Sequence, residues 1–209
     1  MNLISKLTSK TKPSKKNGAE FLEGIEVLRD DGKKIKLNSL WRRQPVVLKV
    51  LRRLGCPLCR YETRILSELK PMFDEIGVRL VSITFDHVNL EDFLRGGFWG
   101  WEIYVDKDYS VYKALGLSRT SLVRSIMDMM SPSGLAAIMA SRDIPGNFSG
   151  DGMQLGATLV VNPGGTIPFL FNQKSAAAFP SIKELVEVVG GDPDVIEETF
   201  PPECVVNLA

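Results

Sequence analysis

"PVVLKVLRRLGCPLCRYETRILSEL", residues 45–69, contains the succession of elements on which the fold depends. Its first part, Pro45 to Leu51, is an apolar run rich in β-branched side chains, which is typical of a buried strand. From Pro57 onwards apolar residues recur every three or four positions, which predicts an amphipathic helix. Cys56 and Cys59 stand where the strand gives way to the helix. The stretch therefore predicts a strand, a cysteine pair and a helix in direct succession.

The chain beyond this stretch continues the alternation of strand and helix. Val78–Phe85 and Glu102–Asp106 are short apolar runs that predict two further strands, each followed by a helical pattern. The helix that begins at Pro57 is predicted to end at Gly77, because glycine favours the backbone conformation found just beyond a helix end. Asn89 precedes the next short helix, and we expect its side chain to cap that helix.

Two predicted hairpins flank this alternating region. Ile25–Trp41 contains two alternating stretches around Asp31-Gly32, a pair of residues that favours a tight turn. A second hairpin is predicted around the proline and glycines at 163–165. Ser181 and Glu184 have the spacing of a capping box at the start of a final helix.

This order of elements predicts the fold class. Strands that alternate with helices imply parallel pairing with helices on both faces, and a closing antiparallel hairpin with a helix is the thioredoxin-like arrangement. We therefore expect one α/β domain with a thioredoxin-like fold, in which helices flank a central mixed sheet and an N-terminal β-hairpin is added. The predicted boundaries are a disordered basic tail at 1–20, the domain at 21–191 and a C-terminal tail at 192–209.

The composition excludes several classes of protein. The 209 residues carry 26 basic and 25 acidic side chains, so the net charge gives no reason to expect nucleic acid as a partner. No apolar run reaches the roughly 18 residues that a membrane span needs. The start of the chain lacks the apolar core of a secretory signal, which favours a cytoplasmic protein. Organelle targeting stays open, because this start contains serine and threonine and no acidic residue.

The cysteine count agrees with an intracellular location. Three cysteines with one close pair do not form a disulfide framework, and they indicate a reactive pair with a spare thiol. The spare, Cys204, is expected to be a free thiol in the C-terminal tail, although a third redox thiol is the alternative.

The position of the cysteine pair predicts its chemistry. Cys56 would lie at the N-cap or first turn of the helix, where unpaired N–H groups and the helix dipole favour a thiolate. Pro57 suits the first helical position, and Cys59 would lie one turn further along, within disulfide reach. Nearby positive charge would lower the thiol pKa further, and three arginines can supply it: Arg52, Arg53 and Arg60.

Two other interpretations of the pair remain open at this point. A Cys-x-x-Cys pair also begins many zinc sites, but zinc needs four ligands. The only other candidates are His87, alone at a strand end, and Cys204, so we expect no metal site. Two inert buried cysteines are the other alternative. His87 itself is either a proton donor or an ordinary loop histidine.

Two apolar groups of residues are candidates for contact with a bulky substrate. Phe98, Trp99 and Trp101 are close together in sequence and are candidates for a substrate pocket, with core packing as the alternative. The methionine-rich stretch from Met127 to Met139 has the flexible side chains that adapt to an acyl chain, with helix packing as the alternative.

Several stretches resemble one known family. "LWRRQPVVLKVLRRLGCPLCR", "GVRLVSI", "YVDKDYSVYKALGL" and "GNFSGDGMQLGATLVVNPGGTIPFLFNQKS" are similar to the peroxiredoxin-like thioredoxin-fold proteins that include prostamide/prostaglandin F synthase. The likeness spans roughly residues 25–190. It implies a cytosolic enzyme that reduces prostaglandin endoperoxide, or its ethanolamide, to the F-series product. Cys56 would be the nucleophile and Cys59 the resolving thiol. No cofactor would be bound, and NADPH electrons would arrive through thioredoxin.

The chain departs from two larger groups of relatives. Peroxiredoxins carry Thr or Ser three residues before the reactive cysteine, whereas this chain has Arg53, which puts rapid turnover of hydrogen peroxide in doubt. Thioredoxins place a cis-proline before the strand that faces the site, whereas this chain has Gly156 and Ala157. Two further functions therefore remain alternatives: a general antioxidant or redox-regulatory protein that acts on peroxides or protein disulfides, and a non-enzymatic redox-sensing module.

Overall fold

The computed structural model describes residues 18–200. Its seven strands are β1 (Glu26–Leu28), β2 (Lys34–Lys36), β3 (Val46–Val50), β4 (Arg79–Thr84), β5 (Glu102–Val105), β6 (Ala157–Val161) and β7 (Phe169–Asn172). Its α-helices are α1 (Pro57–Glu68), α2 (Lys70–Glu75), α3 (Leu90–Arg95), α4 (Ser110–Ala114), α5 (Leu122–Met130), α6 (Pro132–Ala140), α7 (Ile182–Val188) and α8 (Val195–Thr199).

The strands form one mixed sheet in the order β2-β1-β5-β4-β3-β6-β7. β3, β4 and β5 are parallel, whereas β6 is antiparallel to β3 and β7 to β6. The N-terminal hairpin β1–β2 joins the sheet through an antiparallel contact with β5. The predicted fold class, a mixed sheet with flanking helices and an added hairpin, is confirmed.

Strand β3 lies inside the sheet, and all five of its residues are buried. Val47 belongs to the core that α1, α2 and α7 cover. Val46, Leu48 and Val50 belong to the core on the other face, together with Tyr112 of α4. Because both faces are covered, four of its five residues are apolar, and the buried strand fixes the start of the segment that leads to the cysteine pair.

Two predicted details of the helices are wrong. The helix from Pro57 does not run unbroken to Gly77, because α1 ends at Glu68 and α2 begins at Lys70. Pro71 explains the break, since proline has no N–H for the helix ladder and its ring clashes with the preceding turn. Asn89 does occupy the N-cap of α3, but its side chain donates to Asp86 instead of capping the helix.

The packed domain extends beyond the limits that the sequence predicted. Gly18 pairs with Thr166, and Ala19 is buried, although both fall in the predicted tail. At the other end, Ile196 of α8 and Phe200 are buried in the same core as Val47 and the inner residues of α1. Short apolar anchors among charged and proline residues gave too weak a pattern to identify these segments. Residues 1–17 and 201–209 of the predicted tails, and with them Cys204, lie outside the described residues.

The buried side chain of α8 gives a test of this boundary. Ile196→Ala should lower the free energy of unfolding by about 2–4 kcal/mol, because it removes a buried side chain and leaves a cavity. Glu198→Ala, on the exposed side of the same helix, should change it by less than about 0.5 kcal/mol. Urea unfolding measures both values. Equal, small effects would show that residues 192–200 are the tail that the sequence predicted.

Candidate active site

Cys56 occupies the N-cap of α1, at the carboxyl end of β3. Its backbone is extended, with φ −83° and ψ 124°, and Pro57 takes the first helical position. The carbonyl of Cys56 accepts from the N–H of Arg60 at 3.0 Å, so the helix starts directly at the cysteine. Cys56 is partly exposed, and Cys59, one turn further along, is buried. The pair thus has one sulfur at the surface and one beneath it.

The two thiols have opposite proton affinities. The Cys59 thiol donates a hydrogen bond to the Cys56 sulfur, and with the Cys59 N–H and the charges of Arg52 and Arg53 it lowers the pKa of Cys56 to about 5. The same hydrogen bond, followed by burial, raises the pKa of Cys59 well above its usual range. At neutral pH Cys56 is therefore a thiolate and Cys59 keeps its proton.

Arg52 is the charge that matters most to Cys56. Its Nη1 lies 3.6 Å from the Cys59 sulfur, and the side chain is buried. Three backbone carbonyls also accept from the guanidinium, at Gly152 (3.0 Å), Gln154 (3.3 Å) and Ala176 (3.4 Å). A buried cation held by neutral carbonyls keeps its positive charge available to the sulfurs.

The other two arginines near the cysteine pair, Arg53 and Arg60, have different surroundings. Arg53 adds a smaller positive contribution at Cys56. The guanidinium of Arg60 is hydrogen-bonded to three other groups. It donates to the carbonyls of Leu54 and Pro145, both at 2.7 Å, and to Asp92 at 2.5 Å. Arg60 therefore ties the first turn of α1 to the surrounding loops.

Sequence reasoning missed a buried acid, Asp86, that binds the backbone of the segment just before Cys56. Asp86 Oδ2 accepts from the N–H of Leu54 at 2.9 Å and from the Asn89 side chain at 2.8 Å. On the other side of the loop, the N–H of Asn147 donates to the Gly55 carbonyl at 2.8 Å. The available signal was the position of Asp86 at the carboxyl end of a predicted parallel strand, where functional groups of such sheets collect.

A second missed feature is an ion pair beneath the cysteines. Lys49 of β3 and Glu62 of α1 are both buried and hydrogen-bonded to each other. Thr158 accepts from Lys49 at 3.2 Å, and Gln173 donates to Glu62 at 3.4 Å. The carboxylate also helps to raise the pKa of Cys59. A lysine inside an otherwise apolar strand was the signal for this pair.

Apolar residues form one wall beside Cys56. Leu58, Ala137 of α6 and Ala177 make a small buried cluster, and Cys56 and Phe179 pack against it. The reactive sulfur therefore lies between a polar side, with Arg52, and an apolar side from α6.

The aromatic residues proposed for a substrate pocket lie elsewhere. Phe98 and Trp99 are buried in the core. Trp101 donates to the carbonyl of Ser67, eleven residues after Cys56 and therefore about 16 Å along α1. Trp99 and Trp101 line a cleft of about 660 Å³ beside β5. The structure does not bring this cleft and the cysteine pair together.

Two of the interpretations left open by the sequence concern His87 and a metal site. His87 is exposed and follows Asp86 at the end of β4. Within residues 18–200 no three His, Cys, Asp or Glu side chains are grouped so that they would hold a metal ion. Nor does this part of the chain contain a helix long and apolar enough to cross a membrane.

Residues 65–175 match the profile of the family described as AhpC/TSA antioxidant enzyme. The chain belongs to this family. Prostamide/prostaglandin F synthase of Sus scrofa is 35% identical to it over 176 residues, which cover 83% of this chain and 87% of that protein. The Homo sapiens protein of the same name is also 35% identical, over 83% of this chain and 88% of its own. The predicted resemblance to the peroxiredoxin-like proteins is confirmed.

Solved structures support the fold. A cysteine-to-serine mutant of peroxiredoxin 6 from Arenicola marina superposes with a TM-score of 0.56 at 17% identity, over 82% of this chain and 71% of that one. A similar mutant of PrxQ from Xylella fastidiosa has a TM-score of 0.54 at 14% identity, over 78% and 88% of the two chains. The protein is accordingly a peroxiredoxin-like thiol oxidoreductase with a thioredoxin-type fold.

The contribution of Arg52 to the thiolate can be measured directly. Arg52→Met should raise the pKa of Cys56 above about 5, so that alkylation of Cys56 by iodoacetamide reaches half its maximum at a higher pH. Arg52→Lys keeps the charge and should shift this midpoint less, and Arg53→Met should shift it by a smaller amount. Mass spectrometry of the Cys56 peptide follows the reaction across pH 4–9.

Arg64→Met is the matched control, since Arg64 is an exposed arginine on the same helix. The pH at which alkylation of Cys56 reaches half its maximum should be the same in Arg64→Met as in the wild type. If Arg52→Met also leaves the midpoint unchanged while the protein remains folded, the arginine does not stabilise the thiolate.

Proposed function

We propose that this protein reduces lipid peroxides, with prostaglandin endoperoxide or its ethanolamide as the leading substrate and the F-series compound as the product. The observation that carries the proposal is the thiolate of Cys56, partly exposed at a helix N-terminus, beside the buried, protonated Cys59. The prostaglandin assignment is supported by relatives of that name at 35% identity over most of both chains.

The chemistry begins with attack of the Cys56 thiolate on one oxygen of the peroxide. The sulfur–oxygen bond forms, the O–O bond breaks, and the other oxygen leaves as an alkoxide that takes a proton from water. An endoperoxide thereby gains its first hydroxyl group and stays attached to Cys56 through the second oxygen. The low pKa of Cys56 supplies the nucleophile at neutral pH without a separate base.

Cys59 then completes the reaction. Its sulfur attacks the Cys56 sulfur, the disulfide forms, and the sulfur–oxygen bond breaks. The released oxygen takes the proton that Cys59 loses and becomes the second hydroxyl group. The substrate has gained two electrons and two protons, and the cysteine pair has been oxidised to a disulfide.

An external dithiol must reduce this disulfide before the next turnover. We propose thioredoxin as that partner, with NADPH as the ultimate electron source and no cofactor bound to this chain. A cytoplasmic location, where thioredoxin and NADPH are both present, agrees with this route. The partly exposed sulfur of Cys56 is the one that an incoming dithiol would attack.

Two features favour a lipid peroxide over hydrogen peroxide. Arg53 occupies the position three residues before Cys56, where a peroxiredoxin hydroxyl would orient a small peroxide. Leu58, Ala137 and Phe179 provide an apolar wall at the sulfur, and burial of an acyl chain against it would hold the O–O bond near Cys56. The aromatic residues at 98–101 have no part in this proposal.

A second candidate is a general antioxidant enzyme that acts on hydrogen peroxide or on protein disulfides. The description of the matched family as an antioxidant enzyme favours it. A protein that only senses oxidation through the cysteine pair is the non-enzymatic alternative. The three candidates differ in substrate preference and turnover.

Steady-state kinetics with NADPH, thioredoxin and its reductase distinguish them. The value of kcat/KM for prostaglandin endoperoxide should exceed that for hydrogen peroxide by at least about tenfold, equivalent to about 1.4 kcal/mol of transition-state stabilisation. Cys56→Ser should abolish turnover of both substrates, whereas Lys174→Ala, outside the site, serves as the control.

Equal or better efficiency with hydrogen peroxide would assign the protein to the general antioxidants. Absence of turnover with every peroxide tested, in a protein whose cysteines still oxidise, would favour the sensing module.

A further inference from the structure

The helical hairpin formed by α5 and α6 has an unusual outer face. Six of its large apolar side chains are more than half exposed: Leu122, Val123, Met127, Met130, Leu135 and Met139. In α5, Val123, Met127 and Met130 recur at spacings of four and three, and in α6 Leu135 and Met139 are four apart, so each set shares a side of its helix. Exposed large apolar side chains grouped in this way commonly mark a contact with a protein partner or a membrane. These six side chains form the hairpin face.

The inner side of the same hairpin is packed. Gly134 lies so close to α5 that an added Cβ would meet the Asp128 carbonyl at 2.1 Å. Ala137 is buried in the small cluster against which Cys56 packs. The inner side of the hairpin therefore packs against the rest of the domain beside Cys56, and the outer apolar residues remain exposed although this side is packed.

The loop after α6 extends the apolar surface towards the thiolate. The N–H of Asn147 binds the Gly55 carbonyl, one residue before Cys56. The next residue, Phe148, is 97% exposed, and the guanidinium of Arg53 lies 5.9 Å from its ring centre. A surface that receives the hairpin face and Phe148 would thus lie next to the opening at Cys56.

The polarity of the hairpin face indicates what covers it. Protein interfaces carry about one hydrogen bond per 100–200 Å², which requires polar groups within the patch. Between residues 122 and 140 the only exposed polar side chains are Arg124 and Ser133. Long, flexible methionine, leucine and valine side chains without directional partners suit acyl chains, which need no hydrogen bonds.

The charges around the patch favour an anionic surface. Arg124 belongs to α5, Arg142 follows the end of α6, and Arg53 lies beside Phe148. Arg124 makes no ion pair with the described residues. Arg142 pairs with Asp143, but both are exposed, so that pair is weak. In the sequence, the first 17 residues carry five lysines and no acidic residue. Apolar insertion combined with basic charge is the combination that binds anionic bilayers.

We propose that the hairpin face and Phe148 dock on an anionic phospholipid bilayer and so present Cys56 to peroxides held in the membrane. Docking here is reversible and peripheral, with the apolar side chains inserted at the level of the headgroups and the arginines near the phosphates. Binding of the bilayer does not depend on the proposed reaction, and its test requires no turnover.

Flotation of the full-length protein with vesicles tests the proposal. Vesicles of phosphatidylcholine with phosphatidylserine should carry the protein upwards in a density gradient, and vesicles of phosphatidylcholine alone should carry less of it. Met127→Gln/Met130→Gln should weaken partitioning by at least about tenfold, because two inserted side chains become polar. Turnover of a soluble peroxide by this variant should match the wild type.

Leu170→Gln/Val188→Gln is the matched control, since both residues are exposed apolar side chains outside the patch. This variant should float like the wild type. No flotation of the wild type with either vesicle, or an equal loss in the control, would overturn the proposal. Sedimentation velocity tests whether a second copy of the chain binds the hairpin face instead. If the wild type is a dimer and Met127→Gln/Met130→Gln is a monomer, the hairpin face is a dimer interface and the membrane proposal is wrong.

Discussion

The site depends on one hydrogen bond, from the thiol of Cys59 to the sulfur of Cys56. It divides two chemically identical groups into a thiolate with a pKa of about 5 and a thiol whose pKa is raised well above its usual range. The division requires that one sulfur be partly exposed and the other buried, which the N-cap position of Cys56 provides. The two thiols are thus distinguished by geometry before any substrate arrives, as the proposed roles of nucleophile and resolving thiol require.

Buried polar groups hold this geometry in place. The Arg52 guanidinium is fixed by three backbone carbonyls, and the pair of Lys49 and Glu62 connects β3 to α1 directly beneath the cysteines. A buried ion pair adds little net stability compared with apolar packing, but loss of one partner costs about 3–5 kcal/mol. Such a pair therefore restricts how β3 and α1 can pack, and with them the separation of the two sulfurs.

Periodicity and position predicted the parts of the structure that depend on local sequence. The strand at Val46–Val50, the helix from Pro57 and the cysteine between them follow from apolar patterning and helix-end chemistry. The side chains that tertiary contacts decide were not predictable in this way. Arg60 binds loop carbonyls where local charge suggested support for the thiolate, and Trp101 lies near the far end of α1. Short segments such as α8 were also not predicted to belong to the domain, because one buried residue per turn gives no clear apolar pattern.

The apolar wall from α6 and the exposed hairpin face are two sides of one structural unit. Ala137 faces the thiolate, whereas Met127, Met130 and Met139 face outwards. The same element thereby shapes the immediate surroundings of Cys56 and the surface next to it. A substrate that is itself apolar would meet both, which connects the proposed chemistry with the proposed location of that chemistry.

The most direct test of the central claim is the identity of the disulfide formed in a single turnover. Reduced protein is mixed with one equivalent of peroxide, free thiols are alkylated, and peptides are mapped by mass spectrometry. The account predicts a Cys56–Cys59 disulfide, with Cys204 alkylated. A disulfide between Cys56 and Cys204, or two alkylated cysteines at 56 and 59 after substrate has been consumed, would contradict it.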